Sequence, residues 1–211
     1  MVELLVKRDD VDVNSKDEIG QTLLWLAVEK GYEGIVERLV ERDDVDVNSK
    51  DKLGQTLLWW AVDNGHERSV KQLVELDDVD VNSKDRFGRT LLWWAADKGH
   101  EGIVKRLVER DDVDVNSKDK FGRTLLWWAV EKGYEGIVER LVERDNVNIN
   151  LKDKFGRTPL LRAVEKGYEG IVKLLVERDG VNVNSKDKWG RTPLSRAVEK
   201  GYERIVKLLV E

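Results

Sequence analysis

The sequence predicts an all-α repeat solenoid: a stack of helix–turn–helix units joined by hairpin loops. Three observations carry this. The triplet Gly-Gln/Arg-Thr recurs at Gly20, Gly54, Gly88, Gly122, Gly156 and Gly190, always 34 residues apart. Self-similarity at such a period marks a repeat architecture. Each copy holds two short apolar-periodic segments separated by a short Gly-containing stretch, which fits two helices and a tight turn. No copy can bury its apolar stripe alone, so the units must stack on their neighbours.

Each element follows from the fullest copy, residues 85–118. Thr90 stands where an N-cap hydroxyl would sit, before the run Leu91-Leu92-Trp93-Trp94-Ala95-Ala96-Asp97-Lys98. Gly99 fits the left-handed position that ends this first helix. Ile103, Val104, Leu107 and Val108 then recur at helical spacing, giving a second helix of about ten residues. The stretch Asp111-Asp112-Val113-Asp114-Val115-Asn116 alternates polar and β-branched residues. It leads into Lys118-Asp119-Lys120-Phe121-Gly122, a turn whose Gly suits positive φ and reads as a hairpin tip. The chain is therefore one array: a partial unit at 1–16, full units at 17–50, 51–84, 85–118, 119–152 and 153–186, and a final unit at 187–211. Residues 1–16 align with the second half of a unit, and no polar terminal cap is visible at either end. The array reads as an excerpt of a longer one or as a designed one.

The order of elements and the residues resemble ankyrin repeats over the whole chain. The matching pieces are Asp153, Gly156, Thr158, Leu160, Ala163, Gly167, Ile171-Val172, Leu174-Leu175 and Val183-Asn184. Tetratricopeptide repeats share the period, but their units are nearly all helix, whereas about twelve residues per unit here are turn and extended chain. Two departures stand out. The unit is one residue longer than the family's usual 33, and Trp25, Trp59, Trp93 and Trp127, then Leu161 and Ser195, replace the family's His in its Thr-Pro-Leu-His start. That His usually braces neighbouring turns, a donor role the indole N–H is expected to fill in part. The resemblance implies a protein-binding module whose concave helices and hairpin tips form the contact surface. The uniform wording also resembles the ankyrin arrays of fungal NLR-type receptors, which implies the ligand-sensing end of a larger protein.

The positions that vary name the candidate surface. The place after the first Trp reads Leu26, Trp60, Trp94, Trp128, Arg162 and Arg196. A site that accepts Arg is not a sealed core, since an unpaired buried guanidinium costs several kcal/mol. These six are therefore expected to line the concave face, with the three indoles as partner anchors. Seam cover is the competing reading, and it is the stronger one for the preceding Trp of each unit. The tips pair a cation with a large apolar side chain: Phe87 with Arg89, Phe121 with Arg123, Phe155 with Arg157, Trp189 with Arg191. These are the second group of candidate ligand-binding residues, against a reading in which the ring packs on the next hairpin.

Composition narrows the function classes. Of 211 residues 37 are Lys or Arg and 42 Asp or Glu, for a net charge of −5, with no Cys. That excludes disulfide frameworks and thiol nucleophiles. No apolar run approaches the ~20 residues of a membrane span, and a soluble, cytoplasmic chain is expected. Residues 1–118 carry −9 and 119–211 carry +4, which points to an acidic ligand segment near Arg162 and Arg196. It also permits head-to-tail self-association. The Arg edge at the tips would suit a phosphate backbone, but the acidic loops beside it make nucleic acid an unlikely partner. Asp44-x-Asp46-x-Asn48 echoes half a calcium loop but has Ser49 where Gly is needed. His66 and His100 follow a helix-ending Gly and read as turn packing. No phosphate-cradling Gly loop is present, so no catalytic residue, metal or cofactor is expected, and the chain reads as a non-enzyme. The alternative function is a structural or designed scaffold without a selected ligand.

Overall fold

The computed structural model describes residues 11–211. Within them, twelve helices form six pairs: α1 (Leu23–Glu29) with α2 (Glu33–Val40), α3 (Leu57–Asp63) with α4 (Glu67–Val74), α5 (Leu91–Asp97) with α6 (Glu101–Glu109), α7 (Leu125–Lys132) with α8 (Glu135–Val142), α9 (Pro159–Lys166) with α10 (Glu169–Val176), and α11 (Pro193–Lys200) with α12 (Glu203–Val210). First helices pack on first helices and second on second along the array, as nearest-neighbour stacking requires. The start of the partial unit, and with it one of the two ends invoked for head-to-tail association, lies outside the described residues.

Local chemistry sets each pair. The Thr hydroxyl before every first helix accepts a hydrogen bond from the N–H three residues on, as Thr124 does from Trp127 at 3.2 Å. Pro159 and Pro193 fill the first helical place, where no N–H is needed. Each first helix ends in a Schellman turn. The Tyr134 N–H donates to the Ala129 carbonyl at 2.9 Å and the Gly133 N–H to Val130 at 3.1 Å, with Gly133 at φ +75°. The same Ala in each rung, from Ala27 to Ala197, is at most 4% exposed and lets the helices approach closely.

His100, Tyr168 and Tyr202 lie over the helix-ending Gly of the preceding rung. A Cβ on Gly65 would come 2.7 Å from the His100 ring, and one on Gly167 would come 3.0 Å from Tyr202. Turn packing is thus the role of this position at those three rungs, whereas His66 and Tyr134 lie against Trp60 and Trp128 and leave Gly31 and Gly99 uncovered.

Two further devices lock rung to rung. Asn116 donates its amide to the Asn146 carbonyl at 2.7 Å and accepts from the Asn148 N–H at 2.8 Å. Asn14, Asn48, Asn82 and Asn150 do the same at the other junctions. Arg110 and Arg144 reach back to the carbonyls of Val74 and Val108 at the ends of α4 and α6, where helix dipoles favour a cation.

The hairpin expectation needs trimming. Among the described residues the loops form no strand, only the isolated bridges Lys50–Thr56 and Lys84–Thr90. Each tip is closed by local turn bonds, and four of the tips also accept a backbone bond from the next rung, as Phe121 does from the Lys154 N–H at 2.9 Å.

One consequence is measurable at the tip glycines. Gly54 and Gly156 share φ near +77°, but a Cβ on Gly156 would lie 3.1 Å from the Lys188 backbone N, and one on Gly54 would meet nothing within 4 Å. Gly54→Ala is expected to cost about 1–2 kcal/mol from left-handed backbone alone. Gly156→Ala should cost more, because backbone must also move. Equal losses in urea unfolding would show that the neighbouring rung does not press on the tip.

Candidate protein-binding surface

The concave ladder is not displayed as the sequence led us to expect. Trp128 is 4% exposed and belongs to the core. Leu26, Trp60, Trp94, Arg162 and Arg196 are half-buried. The reason is a diagonal pairing across rungs. Trp60 lies against Trp25 of the rung before (centroids 6.2 Å apart), Trp94 against Trp59 (5.6 Å, edge-on) and Trp128 against Trp93 (4.8 Å). Arg162 continues the series, its guanidinium 5.6 Å from the Trp127 ring. Outer covers finish the job. His66 stacks on Trp60 at 5.0 Å, and Lys132 sits 5.0 Å over Trp128. The indoles are mainly seam filler, held by aromatic and cation–π contacts.

Seam cover, the stronger reading for the preceding Trp, describes three of the four: Trp25 is 2%, Trp93 7% and Trp127 3% exposed, while Trp59 is half-buried. The bracing donor expected of them does not materialise. The Nε1 hydrogens of Trp25, Trp93 and Trp127 find no acceptor among the described residues. Bulk moves the indole into the seam, and the Thr hydroxyl is left to close the turn.

Arg162 and Arg196 are not free to receive an acidic ligand. Arg162 pairs with Glu131 and, at 2.8 Å, with Glu165. Arg196 pairs with Glu199 at 2.5 Å and lies 3.6 Å from Glu165. Lys166 adds a 3.0 Å contact to Glu131. Burial alone would raise the Glu131 pKa, but hydrogen bonds from Arg162 and Lys166 hold it below the ordinary 4.5. These two guanidiniums are thus already paired with carboxylates of their own chain.

At the tips, one aspartate organises everything. Asp153 Oδ1 accepts from the N–H groups of Phe155 and Arg157, each at 2.9 Å, while Oδ2 accepts from Arg157 Nε at 2.9 Å and Nη2 at 2.7 Å. Asp85, Asp119 and Asp187 clasp Arg89, Arg123 and Arg191 in the same way. Such a clasp fixes the turn and spends the Arg charge. Each Arg then lies against the tip ring, from 4.6 Å for Arg191 over Trp189 to 4.9 Å for Arg89 over Phe87. The ring itself stays in water: Phe87 is 36%, Phe121 55%, Phe155 47% and Trp189 61% exposed, and Ile19 and Leu53 continue the row. Phe155 and Trp189 stack at 6.0 Å, so the ring-on-next-hairpin reading also holds there in part.

The clasps make stability pH-dependent. Burial would raise the Asp85 and Asp187 pKa values, but hydrogen bonds from Arg89 and Arg191 and from the turn N–H groups bring both below 3.8. Arg42 and Arg110 lower Asp44 and Asp112 similarly. A folded pKa below the unfolded one stabilises above the unfolded value and fades as pH falls through the folded one. The melting temperature should therefore be level between about pH 5 and 8 and drop below about pH 4. A melting temperature unchanged down to pH 3 would contradict these clasps.

Comparison with known proteins places this geometry. The family model described as ankyrin repeats (3 copies) matches residues 1–85, 76–153 and 145–211. This chain belongs to the ankyrin repeat family. Solved structures agree. An ankyrin repeat domain from Acinetobacter baumannii AYE is 30% identical with a TM-score of 0.78, over 89% of this chain and 95% of that one. The ankyrin repeat protein EF0377 is 28% identical with a TM-score of 0.77, over 95% and 98%. The ankyrin repeat domain of Bcl-3, described as a unique member of the IkappaB protein family, is 25% identical with a TM-score of 0.82, over 100% and 90%. No curated protein matches significantly. Ankyrin repeats are generally protein–protein interaction modules and typically non-catalytic. No helix among the described residues is long and apolar enough to cross a membrane.

Sequence reasoning missed the residues that hold this ankyrin array in register. The Asn series from Asn14 to Asn150 was legible as an invariant place in the loops, yet attention went to the acids around it. Those acids prove interchangeable. Asp46 Oδ1 accepts from the Asn48 N–H at 3.0 Å, and Asn148 Oδ1 accepts from Asn150 at 3.1 Å. An acceptor oxygen is all the turn needs, so Asn148 and Asn182 make the same bond that Asp makes in the earlier loops. The same bond accounts for the apparent calcium-loop spacing.

Proposed function

We propose that this array is a cytoplasmic, non-catalytic module that binds a protein or peptide through its row of hairpin tips and the adjoining concave face. The row of exposed apolar side chains carries this reading: Ile19, Leu53, Phe87, Phe121, Phe155 and Trp189 are 36–80% exposed, one per rung. Exposed apolar side chains in register, four of them beside an Arg already spent on its own aspartate, suit an apolar partner surface. The concave positions contribute through the half-buried Trp60 and Trp94, with Trp128 as support beneath.

The test is capture of partners by the full chain, set beside a variant with Phe87, Phe121, Phe155 and Trp189 all replaced by Ser. These side chains lie outside the core, so the melting temperature should change little. A partner retained by the wild type and lost by the variant supports the reading. A partner held equally by both removes the tips from it. The scaffold reading draws on a different observation, that the indoles pair with one another inside the stack. It predicts that no partner distinguishes the two proteins. The sensor role suggested by fungal NLR-type arrays rests on the wording of the repeats alone.

A further inference from the structure

Four of the five tip-to-tip junctions are closed by a backbone hydrogen bond. Lys52, Lys120, Lys154 and Lys188 donate to the carbonyls of Ile19, Phe87, Phe121 and Phe155 at 2.9–3.1 Å. No such bond joins Arg86 to Leu53. At the closed junctions a Cβ on the tip Gly would come within 2.8–3.3 Å of the next rung's backbone, but at Gly54 nothing lies within 4 Å. Leu53 is 80% exposed, the highest among the large apolar side chains of the described residues. The tips of the second and third rungs thus stand apart over a groove of about 530 Å³.

Its walls are distinctive. Leu53, Trp59, Phe87 and Trp94 supply the apolar surface, with Trp59 and Trp94 edge-on at 5.6 Å. Lys50, Lys84 and Arg86 also line it, are exposed, and form no ion pair among the described residues. Arg89 is tied to Asp85 at 2.6 Å. A cationic rim therefore sits in the half of the chain that carries −9.

We propose that the gap between Leu53 and Arg86 docks an extended peptide segment of a partner protein, one bulky apolar side chain flanked by carboxylates. This rests on the protein-binding reading and names the chemistry of the partner. The apolar walls take the side chain. The Arg86 N–H and Leu53 carbonyl offer the peptide main chain the pairing that the other junctions use internally. Lys50, Lys84 and Arg86 select negative flanks.

The experiment titrates the full chain with fluorescein-labelled Asp-Glu-Leu-Phe-Asp-Glu, read by anisotropy and Trp emission. Binding should saturate. It should weaken at least tenfold with Lys84→Glu plus Arg86→Glu, and at least tenfold when Ser-Ser replaces Leu-Phe. It should change less than twofold with Lys105→Glu plus Arg106→Glu, an equal charge change at exposed positions of α6. Unaltered melting temperatures establish that each variant is folded. Equal binding to the charge-reversed protein, preference for a Lys-flanked peptide or for an oligonucleotide, or failure to saturate overturns the proposal. If a captured partner is lost from the four-tip Ser variant yet held by the charge-reversed one, protein binding stands and this site falls.

Discussion

Asp153→Ala is expected to cost about 3–5 kcal/mol of folding stability, the loss typical of removing one partner from a buried ion pair. The Asp153 side chain is 1% exposed and Arg157 only 19%. Its removal strands a guanidinium and two turn N–H groups together. Glu165, 3.8 Å from Arg157, recovers part of the interaction and places the loss toward the lower end of that range. Asp153→Asn keeps the Oδ1 acceptor for Phe155 and Arg157 and loses only the charge-assisted bonds. It should therefore cost less, about 1.5–3 kcal/mol. Urea unfolding of both variants reads the two parts separately. An alanine variant within 1 kcal/mol of wild type would mean that the tip turn forms without its clasp.

The second large effect lies at Trp93, which touches both neighbouring indoles. Its ring meets Trp94 edge-on at 5.5 Å and Trp128 at 4.8 Å, with the Arg89 guanidinium 4.6 Å away. Trp93→Ala opens a cavity in the seam between the third and fourth rungs and should cost about 3–5 kcal/mol. Trp93→Phe is a sharper test. The Trp93 Nε1 hydrogen has no acceptor, and a buried unmet donor costs about 1–3 kcal/mol. Phenylalanine loses ring area but also removes that penalty, so its net cost should stay below about 1.5 kcal/mol, in the range of tolerated apolar swaps. Denaturation midpoints at equal slope would measure both. A Phe variant as damaged as the Ala variant would mean that the indole N–H has a partner, such as bound water.

Much of the fold was legible because its signals are local. Thr90, Gly99 and the apolar spacing of Ile103, Val104, Leu107 and Val108 fix caps, turn and helix within one unit. Repetition then fixes the architecture, since a helix pair with one apolar stripe has only its neighbours to bury it against. The tip pairs were legible as positions but not as chemistry. Arg89, Arg123, Arg157 and Arg191 looked like available cations, and only the turn geometry shows that Asp85, Asp119, Asp153 and Asp187 already hold them.

The concave face was misread for a different reason. Within one helix, Trp94 and Trp128 stand four residues before a charged residue, which places them toward solvent. That argument considers one rung at a time. Across rungs, Trp128 falls onto Trp93 and Arg162 onto Trp127, a diagonal contact set by how far each rung is displaced from the last. The sequence by itself determined the period, the caps, the helix pairs and the identity of every variable position, all of which depend on neighbours a few residues away. Only the tertiary structure decided which of those positions meet water and which junction stands open between Leu53 and Arg86. Exposure depends on contacts made across some 34 residues of chain, and no local pattern encodes the displacement between rungs that makes them.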